Sequence, residues 1–204
     1  MKVLLIAAAC LMMPCILTAV EQNDAVTGAT VRYKAEKTDL KKIVTGKKIL
    51  VVYFSLTGTT ERVAKDIADC FGADIEKIVD KKNRKGFFGF ISGGKDATFR
   101  NLTEIDPIKL DPSKYDITMV GTPIWSWAMT PAIRTYITRN KDKFKEVAFF
   151  VTAGSTPAEN IVPSMEKIAG KKSVAYVGFV SKDLKDNSKY WAKLTKFLGA
   201  FKQK

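Results

Sequence analysis

Ile49-Leu50-Val51-Val52-Tyr53-Phe54-Ser55-Leu56-Thr57-Gly58-Thr59-Thr60 is the stretch whose reading decides the fold. An apolar run rich in β-branched and aromatic residues breaks into small hydroxyl residues around one glycine. Glu61-Arg62-Val63-Ala64-Lys65-Asp66-Ile67-Ala68-Asp69-Cys70-Phe71 follows, with Val63, Ala64, Ile67, Ala68 and Phe71 on one helical face. A buried strand, a hydroxyl-rich turn and an amphipathic helix in that order build an anion site. The helix begins with unpaired N–H groups and a positive dipole end. Ser55, Thr57, Thr59 and Thr60 add neutral donors, so a phosphate there needs no lysine.

Working outward, strand and helix signals alternate. Strands are expected near Ile49–Phe54, Asp74–Val79, Tyr115–Val120, Val147–Thr152 and Ser173–Val180. Helices are expected near Thr60–Phe71, Pro131–Arg139, part of Pro157–Ala169, and Ser188–Phe201. The last carries an apolar stripe of Tyr190, Trp191, Leu194, Phe197, Leu198 and Phe201. Such alternation implies a parallel sheet covered by helices on both faces. Thr130-Pro131 reads as an N-cap with proline at the first helical position. Thr156-Pro157-Ala158-Glu159 reads as the same with a capping box. Pro163 predicts a break or kink near Val162.

Two further strand ends carry chemistry. Tyr115-Asp116-Ile117-Thr118-Met119-Val120 runs into Gly121-Thr122-Pro123-Ile124-Trp125-Ser126-Trp127-Ala128-Met129. Flat apolar rings at a strand terminus make a slot for a flat aromatic ligand. Covering the core is the plain alternative for Trp125 and Trp127. The next strand ends in Phe149-Phe150-Val151-Thr152-Ala153-Gly154-Ser155, where Gly154 admits close backbone approach.

Ser55-Leu56-Thr57-Gly58-Thr59-Thr60 resembles the phosphate loop of the flavodoxin family, and Gly121 to Trp125 resembles that family's first ring-binding loop in its Gly-Thr-Pro-x-Trp version. The Phe149–Ser155 stretch is similar to its next loop. The resemblance covers roughly Lys48 to Phe201. It implies an α/β, flavodoxin-like three-layer sandwich with a five-stranded parallel sheet of order 2-1-3-4-5, which brings the first and third strand ends together at a switch point. It also implies FMN as cofactor. Ser55, Thr57, Gly58, Thr59 and Thr60 would hold the phosphate. Pro123, Ile124, Trp125, Ser126, Thr152, Ala153 and Gly154 would meet the ring, with Trp125 and Trp127 flanking it. The chain departs from the family in charge. Many flavodoxins are strongly acidic, whereas no carboxylate lies between Gly121 and Lys141 here.

Lys85-Gly86-Phe87-Phe88-Gly89-Phe90-Ile91-Ser92-Gly93-Gly94-Lys95 is aromatic, glycine-rich and basic. Gly89 through Gly94-Lys95 is a near-miss for a nucleotide-triphosphate loop. Asp96 follows where Ser or Thr should hold magnesium, and a carboxylate there repels phosphate. The segment reads as a flap over the sheet edge, its phenylalanines folding onto the body or covering a ligand.

At 204 residues the chain fits one domain plus an N-terminal appendage. Hydrophobic residues make up 46%, enough for a real core. The formal charge of +13 is spread along the chain. It describes a solvated lysine-rich surface or one facing acidic partners or anionic lipid. No nucleic-acid motif is present. The absence of His and of Gly-x-Gly-x-x-Gly removes most hydrolytic triads and the usual dinucleotide fingerprint.

Residues 1–20 read as a signal peptide or membrane anchor, 21–46 as a tether and 47–204 as the flavodoxin-like domain. Val3 to Val20 is nearly all apolar after Met1-Lys2. A cleaved signal, an uncleaved anchor and lipid attachment all remain open, and each puts the body outside the cytoplasm. Cys10 and Cys15 belong to the leader, leaving Cys70 as a core thiol. No metal site is expected. The functional expectation is an FMN protein for electron transfer or quinone-type reduction, served by a redox partner protein, NAD(P)H or a quinone. The rival is a flavin-free binding module of the same fold for an anionic partner.

Overall fold

A computed structural model describes residue 43, residues 45–84 and residues 86–202, side chains at 87, 88 and 90 excepted. The leader and most of the tether lie outside the described residues, and so do the readings placed on them. Where the tether is described, the Ile43 N–H donates to Cys70 O (2.9 Å) and Thr45 is buried.

In chain order the elements are β1 (Ile49–Tyr53), α1 (Thr59–Phe71), β2 (Asp74–Lys77), α2 (Gly86–Thr98), β3 (Ile117–Trp125), β4 (Ala128–Met129), α3 (Pro131–Asn140), β5 (Glu146–Ala153), α4 (Val162–Ala169), β6 (Ala175–Val180), α5 (Ser181–Lys185) and α6 (Asn187–Gly199). The sheet runs β2-β1-β3-β5-β6, with all four of these pairings parallel. That is the expected 2-1-3-4-5 order, β5 and β6 being its fourth and fifth strands. The short β4 adds a sixth strand, antiparallel to the end of β3.

Burial follows position in the sheet. All five residues of β1 are buried, as a central strand covered on both faces requires. β2 is an edge, and only Glu76 is buried in it. That carboxylate accepts the N–H groups of Lys109 (2.6 Å) and Leu110 (3.0 Å), so a loop is stitched over the edge. α1 buries Val63, Ala64, Ile67 and Ala68, the face its spacing predicts. α6 buries Tyr190, Trp191, Leu194, Phe197 and Leu198, and Tyr190 Oη donates to buried Asp66 of α1 (2.7 Å).

Three local expectations are corrected. Residues 86–95, read as a flap over the sheet edge with no helix expected, lie in a 13-residue helix, α2. Each glycine disfavours helix by about 1 kcal/mol, but Gly89, Gly93 and Ala97 recur every four residues on its buried side, so packing overrides propensity. The Thr156 capping box does not form. A 3-10 turn, Ala158–Asn160, comes first, and α4 starts at Val162 with Pro163 in its first turn, the break that proline predicts. Thr130 does stand at the N-cap of α3, yet its hydroxyl lies 3.1 Å from that of Thr122 and caps nothing.

Candidate functional site at the strand ends

The carboxyl ends of β1, β3, β5 and β6 surround one cleft of about 380 Å³. Each wall follows from local sequence. After β1 the Phe54 N–H still donates to Gly121 O (3.1 Å), and the chain then turns. Gly58 takes φ +90°, a left-handed conformation that disfavours any side chain. Its N–H donates to Ser55 Oγ (3.1 Å), and its carbonyl accepts from Arg62 (2.9 Å), opening α1. The first-turn N–H groups of α1 have no intrahelical partners.

The four hydroxyl residues divide. Ser55 and Thr60 are buried, and Thr60 Oγ1 meets Thr152 Oγ1 at 2.8 Å, tying α1 to β5. Thr57 and Thr59 are exposed, with their hydroxyls 3.4 Å apart. The turn thus presents two hydroxyls and the free end of a helix, and the other two hydroxyls hold it in shape.

The second wall is Pro123, Ile124 and half-buried Trp125. β3 runs on past Val120, where the sequence suggests an end, and folds back through β4 in a hairpin. Pro123 is tolerated because β1 pairs with β3 only as far as Gly121. Ser126 (φ +45°) and Trp127 (φ +58°) form the two-residue turn. Left-handed φ at both positions is the type I′ pattern, at roughly 1–2 kcal/mol per non-glycine residue.

Trp125 is held on two sides. Phe54 packs edge-on against it (centroids 5.6 Å apart, planes at 86°). α2 lies against it through Gly93, where an added Cβ would stand 2.7 Å from Trp125 Cζ3. A Cβ on Gly94 would stand 2.9 Å from Ser126 Oγ. The glycines that resemble a nucleotide loop therefore let a helix approach the tryptophan hairpin.

Thr152, Ala153 and Gly154 form the third wall, and a Cβ on Gly154 would meet no protein atom within 4 Å. Of the sequence-derived candidates, Ser55, Thr57, Thr59, Thr60, Pro123, Ile124, Trp125, Thr152, Ala153 and Gly154 line this cleft, with Gly58 shaping its turn. Ser126 and Trp127 stand at the hairpin tip outside these walls, and Trp127 is 79% exposed.

A fourth wall, Ser181, Leu184 and Lys185, carries no motif that marks it in the sequence. The available signal is positional: Val180 ends a parallel strand, so the segment from Ser181 onward starts at the same edge of the sheet. Gly154, Ser181 and Lys185 are shared with an adjoining hollow of about 630 Å³ that also carries Lys182, Lys193 and Glu159. Among the described residues no carboxylate lines the cleft, and Lys185 is its one charged side chain. Asp183, beside Leu184 in the chain, is buried and turned to Lys193 (2.5 Å) and the Val180 N–H (3.1 Å). Burial alone would raise its pKa; those two contacts outweigh burial and lower it. Among the described residues there is no cluster of metal-ligating side chains, and no helix is long and apolar enough to cross a membrane.

No family model matches the chain, and no curated protein matches it either. Solved structures do. A flavoprotein from Lactobacillus acidophilus NCFM, determined in complex with FMN, superposes with a TM-score of 0.58 at 22% identity, over 72% of this chain and 99% of that one. A provisionally described flavoprotein from Bacteroides eggerthii DSM 20697 gives 0.55 at 24% identity, over 72% and 98%. The Trp repressor binding protein of Bacillus subtilis gives 0.50 at 15% identity, over 74% and 98%. The fold is a flavodoxin-like α/β sandwich.

Proposed function

We propose that the strand-end cleft binds FMN and that the chain acts in electron transfer or in reduction of small quinone-type molecules. One observation carries this reading: a donor-rich turn and a half-buried tryptophan are two walls of a single cleft, and among the described residues no carboxylate lines it. The donor set fits the group. The first-turn N–H groups of α1 and the Thr57 and Thr59 hydroxyls suit a dianionic phosphate. Trp125 and the open backbone at Gly154 suit a flat heterocycle. FMN, when bound, supplies the redox chemistry, and the protein supplies placement and electrostatics. The cleft offers no His and no carboxylate as a proton donor or acceptor, so binding and tuning are its work. The FMN complex of the Lactobacillus neighbour supports the cofactor.

Flavin reconstitution tests the reading. The purified chain with added FMN is expected to retain it through gel filtration, with a protein-perturbed visible spectrum. Thr57→Val is expected to weaken binding about tenfold, the scale of one hydrogen bond to a charged group. A chain that refuses FMN is instead the flavin-free module. Retention with unchanged affinity in Thr57→Val moves the phosphate off this turn.

The charge of the cleft sets a second expectation. Negative charge beside a flavin disfavours adding electrons, and this cleft has only Lys185. Bound FMN is expected to have a less negative reduction potential than in acidic flavodoxins. Lys185→Glu should lower it by tens of millivolts, on the order of one screened charge. A potentiometric titration reads both, and a very low potential in the unaltered chain overturns the argument. The basic surface favours an acidic redox partner or an anionic electron donor such as NAD(P)H. We propose that this work takes place outside the cytoplasm, with the body secreted or anchored; the apolar run Val3 to Val20 is what supports this.

A further inference from the structure

The hollow beside the strand-end cleft is the larger of the two spaces, about 630 Å³ against about 380 Å³. That volume lies in the range of small-molecule sites. β6 contributes Gly178 and Val180 to its lining, the segment after β5 contributes Pro157 and Ala158, and α5 contributes Lys182 and Lys185. A Cβ on Gly178 would stand 2.6 Å from the Ala158 Cβ, so the 3-10 turn rests directly on the bare strand. The Ser181 N–H donates to Gly154 O (3.1 Å), which ties the start of α5 to the end of β5. Gly154, Ser181 and Lys185 line both spaces. At that shared boundary Gly154 interposes no side chain.

The charges in the hollow divide into used and unused. Lys193 is used: its Nζ bonds buried Asp183 (2.5 Å) and Gly178 O (3.2 Å). Lys182 and Lys185 are exposed, lie three residues apart on α5 and make no ion pair among the described residues. The carboxylates next to them in the chain are committed elsewhere. Asp183 also accepts the Val180 N–H (3.1 Å), and Asp186 pairs with Lys189 (3.0 Å). Glu159, the one carboxylate lining the hollow, pairs with neither lysine. Two uncommitted ammonium groups beside apolar walls select a molecule with an anionic group on an apolar body.

We propose that the hollow binds a small aromatic anion, and that Lys182 and Lys185 select the negatively charged members of the quinone class. The apolar body lies against Pro157, Ala158 and Val180, and the acidic substituent lies against the two lysines. The redox use of the site rests on the FMN reading, because the molecule meets the flavin across the Gly154 boundary. Binding in the hollow does not rest on it.

Calorimetric titration of the full chain tests this, with anthraquinone sulfonate and its neutral hydroxymethyl analogue as probes. Each is run with FMN present to fill the cleft, and again without it. The sulfonate is expected to bind tighter than the neutral probe by about fivefold or more, the upper scale of an exposed charge pair. Lys182→Gln is expected to remove most of that preference and to leave FMN binding unchanged, since Lys182 lines the hollow and not the cleft. Lys171→Gln, before the other end of β6, removes the same charge and should keep the preference. Ser155→Phe adds bulk at a residue that lines only the hollow, and should weaken both probes about tenfold. A Lys182-dependent preference in a chain that retains no FMN ends the flavin reading and upholds this site. Equal affinity for the two probes, or a preference that survives Lys182→Gln or falls as far in Lys171→Gln, overturns the proposal. So does a sulfonate that FMN displaces completely, which places it in the cleft.

Discussion

Replacing Arg84 by methionine is expected to destabilise the domain by about 3–5 kcal/mol, the cost of removing one partner from a buried ion network. Arg84 is 3% exposed, and its guanidinium bonds Asp80 through Nε (2.9 Å) and Asp96 through Nη1 (2.8 Å). Both carboxylates would lose their main counter-charge. Burial by itself would raise the Asp96 pKa. The hydrogen bonds from Arg84, Asn101 and Lys82 overcome burial and bring it from 3.8 to about 2. A depressed carboxylate adds stability above its unfolded pKa and loses it as pH falls toward the folded value. For Asp96 that contribution is about 2 kcal/mol, at 1.36 kcal/mol per pKa unit. Urea unfolding should therefore show a large deficit in Arg84→Met near neutrality that narrows between about pH 4 and pH 2. Adding Asp96→Asn to the variant should recover part of the deficit, because an unpaired charge is removed. An Arg84→Met protein as stable as the parent would show that desolvation of the guanidinium cancels its pairing.

The same network explains what could and could not be read in advance. The strand-to-helix passage at Ile49–Thr60 is local: a continuous apolar run, a turn that needs Gly58, and a helix with one apolar face. Nothing distant contradicts it, so sequence and structure agree. The α6 stripe from Tyr190 to Phe201 is equally self-contained. α2 is different. Its glycines oppose helix formation locally, and its reasons for being a helix lie in tertiary contacts, the bridge from Arg84 to Asp96 in its last turn and the Trp125 ring against Gly93. The clue was the four-residue spacing of Gly89, Gly93 and Ala97, which a composition-based reading as a flap passes over.

The strand ends show a similar division. Three loops of the cleft announce themselves by unusual residues: hydroxyls at 55–60, tryptophans at 125 and 127, and a glycine at 154. The Ser181–Lys185 wall has ordinary composition and becomes visible only through its place after β6. The hairpin shape was hidden for a backbone reason. Ser126 and Trp127 take left-handed φ without the Asn or Gly that usually signals such a turn. Thr156 lost its capping role because Pro157 and Pro163 divide the segment, and the 3-10 turn between them uses the backbone instead.

Trp125→Ala is expected to raise the dissociation constant for FMN on the order of 100-fold, the scale of truncating a central aromatic anchor. Two contributions combine. The wall that would lie along the ring disappears, and so does the contact that sets the position of α2. Trp125 fills the space between the Phe54 edge and the bare backbone of Gly93. With alanine there, α2 loses that support and the hairpin loses its brace. Trp125→Phe keeps an aromatic face and most of the volume, so it should recover most of the affinity. Trp127→Ala separates the cleft from mere aromatic content in the loop. This side chain is 79% exposed and outside the cleft walls, so its loss should change affinity less than about threefold. Quenching of flavin emission on titration with each protein measures all three. If Trp127→Ala is the more damaging change, the flat ligand lies on the outer side of the hairpin, and the cleft between the strand ends is not its site.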